Sequence, residues 1–268
     1  MGMIFLSEEA CEPLLEDLKK EGHEIFVVKK TDLVYDSIAA HPDIYMCRIG
    51  DTLIIDDAVR TEPDIRDMYD LEMQKKLGNP SAAPLIPALH SRSGGQIVFQ
   101  NGSIGHEYPF DVPYNAVSTG TCFIHNLEYT SPSLLDRARE AGLEFIDVKQ
   151  GYTKCACVVV SERAVITADR GIIRTLSAYN QMLAAEGAEE DRIDCLEIEE
   201  GHVSLPGLDH GFLGGTSGLV DGKLYFNGDL TEHPDFERIR AFISGHGVEA
   251  VWYEGYELTD IGSVIYLD

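Results

Sequence analysis

The sequence predicts an α/β protein of five similar units that close into a ring. Three observations predict it. First, a phrase recurs: Gly142-Leu143-Glu144-Phe145-Ile146-Asp147-Val148 follows one helix-like run, and Gly247-Val248-Glu249-Ala250-Val251-Trp252-Tyr253 follows another. A fainter copy, Gly22-His23-Glu24-Ile25-Phe26-Val27-Val28, follows the first helix-like run. Helix, glycine stop, short strand and glycine turn make one supersecondary unit, and a unit that repeats marks a chain of stacked modules. Second, helices alternate with apolar strand clusters, as they do when strands lie beneath an outer layer of helices. Third, five units in 268 residues, about 54 each, include none that looks like a capping repeat. A closed ring hides its edge strands without caps.

Taken in order, Ser7 caps a helix with Glu9 and Ala10 in its first turn. Leu14, Leu15 and Leu18 form its apolar face, and Lys19-Lys20 close it before Gly22. Strands at 25–28, 44–47 and 53–55 complete the first unit, the last two flanking the turn Gly50-Asp51. The stretch 60–92, with Gly78, Pro80, Pro84 and Pro87, is a loop-like insertion of the second unit, a lid or a dimer contact. That unit holds strands at 96–100, 114–117 and 122–125. In the third, Ser131-Pro132 starts a helix that Gly142 stops, and strands follow at 143–148, 155–160 and 164–167. The fourth has a helix at 172–185 and strands at 195–198, 217–220 and 224–226, with Asp221-Gly222 as the hairpin turn. In the fifth, Thr231 caps, Pro234 stands in the first turn, and Phe236, Ile239, Phe242 and Ile243 form the apolar stripe before strands at 248–253 and 263–267. The five units, 1–59, 60–127, 128–169, 170–230 and 231–268, make a single domain.

Composition narrows the function. With 46 acids against 21 bases the formal net charge is -25. Sequence-independent binding to nucleic acid or to an anionic membrane needs a basic surface, so neither is expected as a partner. A cationic small ligand is compatible with this charge. No segment reaches the ~18 apolar residues of a bilayer span, and Met1 to Leu6 runs straight into Ser7-Glu8-Glu9, so no signal peptide is expected. Six cysteines without framework spacing read as reduced thiols, and the expected location is the cytoplasm.

The blade-like organisation resembles the pentein fold, the five-bladed pseudo-symmetric β/α propeller of guanidino-group-modifying enzymes: arginine and agmatine deiminases, dimethylarginine dimethylaminohydrolase and the amidinotransferases. The ring also resembles the non-enzymatic branch of that fold, the ribosomal anti-association factor. The resemblance implies an Asp in blade two and a Glu in blade three holding a guanidinium, a His in blade four as acid and base, and a cysteine opening the last strand as nucleophile. Carboxylates suit a planar cation because they pair with it bidentately. A thiol gives a nucleophilic thiolate near neutral pH when a cation lies beside it.

Carried over by position, Asp111 in Phe110-Asp111 resembles the blade-two acid, and His210 in Asp209-His210 resembles the histidine, two residues further from its strand than the pattern has it. Two positions depart from the pattern. Gln150, in Gln150-Gly151-Tyr152, stands where the enzymes carry the Glu of a Glu-Gly-Gly phrase, and Ser263 stands where they carry the cysteine; the last cysteine of the chain is Cys195. An amide in place of a carboxylate forfeits about 4 kcal/mol of attraction at ~4 Å and an effective dielectric of ~20. A serine needs a dedicated base, and no Gly-x-Ser-x-Gly elbow surrounds Ser263. Cysteine-dependent deiminase chemistry is therefore not expected.

The resulting candidate site has His210, Asp111 and Ser263 as catalytic positions and Asp111, Gln150, Asp209, Asp260 and Glu254 as ligand contacts, with no metal and no cofactor. Its expected ligand is a small cationic, guanidino or amino-acid-like molecule; whether it turns the ligand over is left open, as is the oligomeric state. The alternative is a non-enzymatic platform for a protein partner. Other constellations have plainer readings. Cys155-Ala156-Cys157 puts two thiols on one face of a strand, read as small buried apolar residues. His41-Pro42-Asp43 and His233-Pro234-Asp235 repeat a tripeptide, read as turns and helix starts. The glycine-rich run 211–218 lacks the ending of a phosphate loop and either lines the central channel or forms a plain loop.

Overall fold

The computed structural model describes residues 2–67, 89–90 and 94–268. In chain order the strands are β1 (Met3–Ser7), β2 (Glu24–Val28), β3 (Met46–Ile49), β4 (Thr52–Asp56), β5 (Thr61–Glu62), β6 (Leu89–His90), β7 (Gln96–Gln100), β8 (Val117–Ser118) and β9 (Cys122–His125). They continue as β10 (Glu144–Asp147), β11 (Cys157–Ser161), β12 (Ala164–Thr167), β13 (Asp194–Glu197), β14 (Ser217–Val220), β15 (Lys223–Phe226), β16 (Glu249–Val251) and β17 (Ile265–Leu267). Most of the insertion expected at 60–92 lies outside the described residues.

The strands form five small sheets with one plan. A first strand pairs antiparallel with a second, and the second pairs parallel with a third. The trios are β3-β4-β7, β8-β9-β10, β11-β12-β13 and β14-β15-β16. The fifth joins the two ends of the chain: β17 pairs antiparallel with β1, and β1 parallel with β2. Parallel neighbours need a crossover, and helices supply it. The helices Glu12–Lys20, Pro132–Glu140, Arg170–Glu186 and Phe236–Gly245 each lead from a second strand to a third.

This plan corrects the grouping read from the sequence by one element. A helix and the strand after it complete the preceding sheet rather than opening the next, because the crossover returns the chain beside the strand it left. Thus β10 pairs with β9, not with β11. Likewise β2 belongs with β1 and β17, whereas β3 and β4 belong with β7.

Local chemistry fixes the element ends. The Asp169 carboxylate accepts from the amides of Gly171 (2.7 Å) and Ile172 (2.9 Å), capping the helix Arg170–Glu186, which stops at Gly187 with φ 78°. Ser7 does not cap a helix: Met3–Ser7 is wholly buried between β17 and β2, and the first helix starts at Glu12 with a proline in its first turn. Thr231 sits in a short turn, Leu230–Glu232, whose amide the Asp229 carboxylate accepts; Asp235 precedes the helix Phe236–Gly245.

The expected strands at 44–47, 114–117, 155–160 and 263–267 all begin late, for a shared reason. Just before each first strand the backbone leaves extended geometry. Pro42–Tyr45 and Thr153–Ala156 are single helical turns, Gly214–Thr216 is a tight turn, and Ser263 has φ 69°. The Ala116 amide reaches back to the Tyr114 carbonyl at 2.7 Å. Cys155 therefore lies in a helical turn and only Cys157 in a strand. These five entry turns carry most of the buried polar side chains discussed next.

Candidate functional site

Four of the entry turns meet around Ser263. Its hydroxyl donates to Asp43 Oδ2 at 2.7 Å, with the Gly214 carbonyl an alternative acceptor at 3.1 Å, and it accepts from Lys154 Nζ at 2.8 Å. The Cys155 thiol donates to the same Asp43 oxygen at 3.1 Å. Asn115 holds the turn that carries these residues: its side-chain oxygen accepts from the amides of Lys154 (2.8 Å) and Cys155 (3.2 Å), and its amide nitrogen donates to the Cys155 sulfur. Ser263, Asp43 and Asn115 are wholly buried, and Cys155 nearly so. The left-handed backbone of Ser263 is unusual for a residue with a side chain, and such strain collects at functional sites.

His41 and Asp260 close one side. His41 Nδ1 lies 3.8 Å from Asp260 Oδ1. Asp260 Oδ1 also accepts from the Gly262 amide and Oδ2 from the Phe212 amide. Glycines make this packing possible: a Cβ on Gly215 would fall 1.9 Å from Asp260 Oδ1, and one on Gly262 would fall 2.1 Å from the Cβ of His41. The run 211–218 thus packs against the site. Three buried polar atoms here have no hydrogen-bond partner among the described residues: both ring nitrogens of His41, and Asp43 Oδ1.

Burial dominates the electrostatics. It raises the Asp43 carboxyl, against the pull of His41 and Lys154, and raises Asp260 to about 6. It lowers the His41 imidazole and pushes the Cys155 thiol well above its usual range, with Asp43 adding to the latter.

A second cluster is built on Asp111, whose residue is fully buried. The Tyr152 hydroxyl donates to Asp111 Oδ2 at 2.5 Å and lies 3.2 Å from the Tyr35 hydroxyl. Asp111 Oδ1 has no partner among the described residues. Burial raises the Asp111 carboxyl, and the Tyr152 hydrogen bond opposes the rise. Tyr108 packs on Tyr152, ring centroids 6.0 Å apart, and on Tyr129 at 5.8 Å; Tyr108 and its neighbour Phe110 are both exposed. Tyr152 directly precedes the turn Thr153–Ala156 that carries Lys154 and Cys155, so one turn joins the two clusters.

The residues singled out in the sequence are thus distributed unevenly. Ser263 and Asp260 share the first cluster, and Asp111 anchors the second. Gln150 braces a loop: its Nε2 donates to Asp169 at 2.9 Å and its Oε1 accepts from the Tyr152 amide at 3.0 Å. The His210 side chain, 31% exposed, faces Glu200 at 3.5 Å and packs on Phe212, away from the Ser263 hydroxyl, whose partners are Asp43, Gly214 and Lys154. Asp209 and Glu254 are exposed. Reading the sequence passed over His41, Asp43, Lys154, Cys155 and Tyr152. The first His-Pro-Asp tripeptide and the Cys-x-Cys pair were the available signals, because both lie at the entry to a first strand, as Ser263 does.

A cavity of about 380 Å³ is lined by residues from the first strands of all five sheets, among them Cys47, Ser118, Val159, Ser217 and Ile265, and Lys154 is also in its wall. Among the described residues no helix is long and apolar enough to cross a membrane.

Several solved structures are similar to this chain. DDAH from Pseudomonas aeruginosa, a cysteine-to-serine mutant complexed with citrulline, is 11% identical, with 94% of this chain and 91% of that one covered and a TM-score of 0.48. ArgZ, an arginine dihydrolase of the ornithine–ammonia cycle in cyanobacteria, is 11% identical at a TM-score of 0.46; 94% of this chain is covered but only 36% of that larger one. SxtG, an amidinotransferase from Microseira wollei in the saxitoxin biosynthetic pathway, is 10% identical over 90% of this chain and 75% of its own, at a TM-score of 0.43. Two of these carry names of enzyme groups that the sequence resemblance includes. No curated protein matches the sequence. Residues 5–265 match the model of the family of unknown function DUF6873, and the chain belongs to that family.

Proposed function

We propose that the five sheets are the blades of a closed β/α propeller, and that its polar centre is a binding site for a small cationic, amino-acid-like molecule. Ring closure is supported by the pairing of the first and last strands of the chain and by the cavity to which every first strand contributes. The observation that carries the ligand class is Asp111. A buried carboxylate oxygen without a partner is costly, and it is satisfied best by a charged donor. A guanidinium or ammonium group seated against Asp111 Oδ1 would meet the rings of Tyr108 and Tyr152, whose faces attract cations. Asp260 adds negative charge nearby. Ser263, bonded between Asp43 and Lys154, serves as a polar contact rather than as a replacement for a cysteine nucleophile, because the cation on its oxygen and the carboxylate on its hydrogen hold it in place without removing its proton.

Calorimetric titration with arginine, agmatine and citrulline tests this reading. Arginine or agmatine should bind at least ~10-fold more tightly than citrulline, whose ureido group is neutral, since a hydrogen bond to a charged group contributes about 1.5–3 kcal/mol. Asp111→Asn should remove that preference. Equal affinity for charged and neutral ligands, or binding untouched by Asp111→Asn, would refute the assignment.

A further inference from the structure

We propose that His41, Asp43 and Cys155 form a site for a divalent transition-metal ion of the zinc type. Their ligand atoms, one imidazole nitrogen, one carboxylate oxygen and one sulfur, all lie within 4.8 Å of one another, and all three residues are buried. Nitrogen, oxygen and sulfur donors together are a zinc-type set. The existing spacing needs little adjustment. The Cys155 sulfur and Asp43 Oδ2 are 3.1 Å apart, whereas tetrahedral ligands at ordinary zinc–sulfur and zinc–oxygen bond lengths stand roughly 3.6 Å apart.

A second, independent observation points the same way. Both nitrogens of His41 and Asp43 Oδ1 are buried without a hydrogen-bond partner among the described residues. Native proteins satisfy such atoms, and an absent ion is one reason for an exception. Asp260 supplies the supporting carboxylate that metal-bound histidines ordinarily have. Its Oδ1 lies 3.8 Å from His41 Nδ1 and is itself fixed by the Gly262 amide. It can take the imidazole N–H and leave the other nitrogen for the ion.

Charge also balances. A divalent ion and the Lys154 ammonium carry three positive charges; Asp43, Asp260 and a Cys155 thiolate carry three negative ones. Binding therefore releases one proton, from the Cys155 thiol, as the sulfur–metal bond forms. Three protein ligands leave the fourth tetrahedral position open to water, beside the Ser263 hydroxyl that already donates to Asp43. The site shares Asp43, Asp260, Lys154 and Ser263 with the polar centre proposed above but makes no use of Asp111, on which the ligand class rests, so the two readings fail separately.

The test uses the full chain, stripped with a chelator and titrated with Zn²⁺ and Co²⁺. One ion per chain should bind, and the Co²⁺ form should show a thiolate-to-metal charge-transfer band with tetrahedral d–d absorption. Cys155→Ser should abolish the charge-transfer band and weaken Zn²⁺ binding by about 100-fold or more, beyond the 10–100-fold expected for losing an outer-shell partner alone. Asp111→Asn should leave both ions' binding unchanged. If Cys155→Ser fails to fold, the wild-type Co²⁺ spectrum still decides: saturating Co²⁺ without a thiolate band overturns the site. So does stoichiometric binding that Cys155→Ser leaves at wild-type strength, which would place the ion elsewhere.

Discussion

His41-Pro42-Asp43 and His233-Pro234-Asp235 are the same three residues in two settings, and their difference separates support from function. Pro42 opens a single helical turn and Pro234 stands two residues before a longer helix, and both histidines are buried. Around His233 the polar partners are in place. Its Nδ1 accepts from the Asp235 amide at 3.1 Å, its ring packs edge-on against His202, and the Asp235 carboxylate takes the Glu199 amide and Arg238. Burial raises the Asp235 carboxyl, but the Glu199 amide and Arg238 hold it below its usual value. Around His41 the partners are missing: neither nitrogen is bonded among the described residues, and Asp43 answers to a thiol and a hydroxyl from distant turns while its other oxygen stays unpaired. The second tripeptide finds its partners in the fold. The first, at the entry to β3, leaves donors and acceptors that only something additional can satisfy.

The largest effect should come from the residue that presses on the first tripeptide. Gly262 has φ 71°, and a Cβ there would overlap His41 Cβ at 2.1 Å and Cα at 2.5 Å, both buried and neither free to swing away. Gly262→Ala should cost about 4 kcal/mol or more, combining overpacking with left-handed strain. Gly255 has φ 81° but nothing within 4 Å of its would-be Cβ, so Gly255→Ala isolates the strain, about 1 kcal/mol. Urea denaturation of the two variants measures the difference. Equal losses would mean that the packing of Gly262 on His41 has no special weight.

Next in size is the cost of burying an imidazole that does have its partners. His125 is wholly buried, with Nε2 donating to the Gly151 carbonyl at 2.8 Å and Nδ1 accepting from the Thr130 hydroxyl at 2.7 Å. Burial lowers its pKa from 6.5 to about 4, against the pull of the Gly151 carbonyl and Asp147. The unfolded chain therefore binds the proton first as pH falls. Stability from this residue is complete above pH 6.5, declines between 6.5 and about 4, and levels off below; the total is about 3 kcal/mol. Stability curves at pH 7 and pH 5 should differ accordingly, and His125→Asn should flatten the dependence. An unchanged slope in the variant would assign the acid sensitivity elsewhere.

How much of this was legible in the sequence follows from the range of each signal. The repeat was legible, because helix caps, glycine stops and apolar strands are local; β9, β12, β14 and β15 fall within a residue of where the pattern puts them. The phase of the repeat was not, because pairing partners are set by the crossover and by β1, whose short apolar run at the chain's start gives no local sign that it pairs with β17. Asp111 and Ser263 were singled out because they stand where the resemblance puts an acid and a nucleophile, and Asp260 because it closes the last unit beside Ser263. Asp43 was read as part of a turn and Cys155 as a small buried residue, since nothing local distinguishes Asp43 from Asp235 or Cys155 from Cys157, and Lys154 drew no reading. What distinguishes them is convergence across 112 residues for Cys155 and Asp43, and across 220 for Ser263 and Asp43.

The smallest effect sharpens the comparison from the other side. Asp235→Ala removes the acceptor of the Glu199 amide (2.7 Å) and the partner of Arg238, both near the surface. An exposed hydrogen bond of this kind contributes about 1 kcal/mol, and an exposed ion pair adds little. The melting temperature should therefore fall by a few degrees, while Co²⁺ binding and the arginine–citrulline preference stay at wild-type values. Asp43→Asn should do the opposite. It neutralises a buried carboxylate that has no ion pair among the described residues and whose burial outweighs the pull of His41 and Lys154, so its cost in stability should be no greater than that of Asp235→Ala, and it should weaken Zn²⁺ binding by at least ~100-fold. Two aspartates in identical tripeptides would then differ in which property each controls. Matching losses of stability, with metal binding indifferent to both, would reduce the first tripeptide to a second copy of the other.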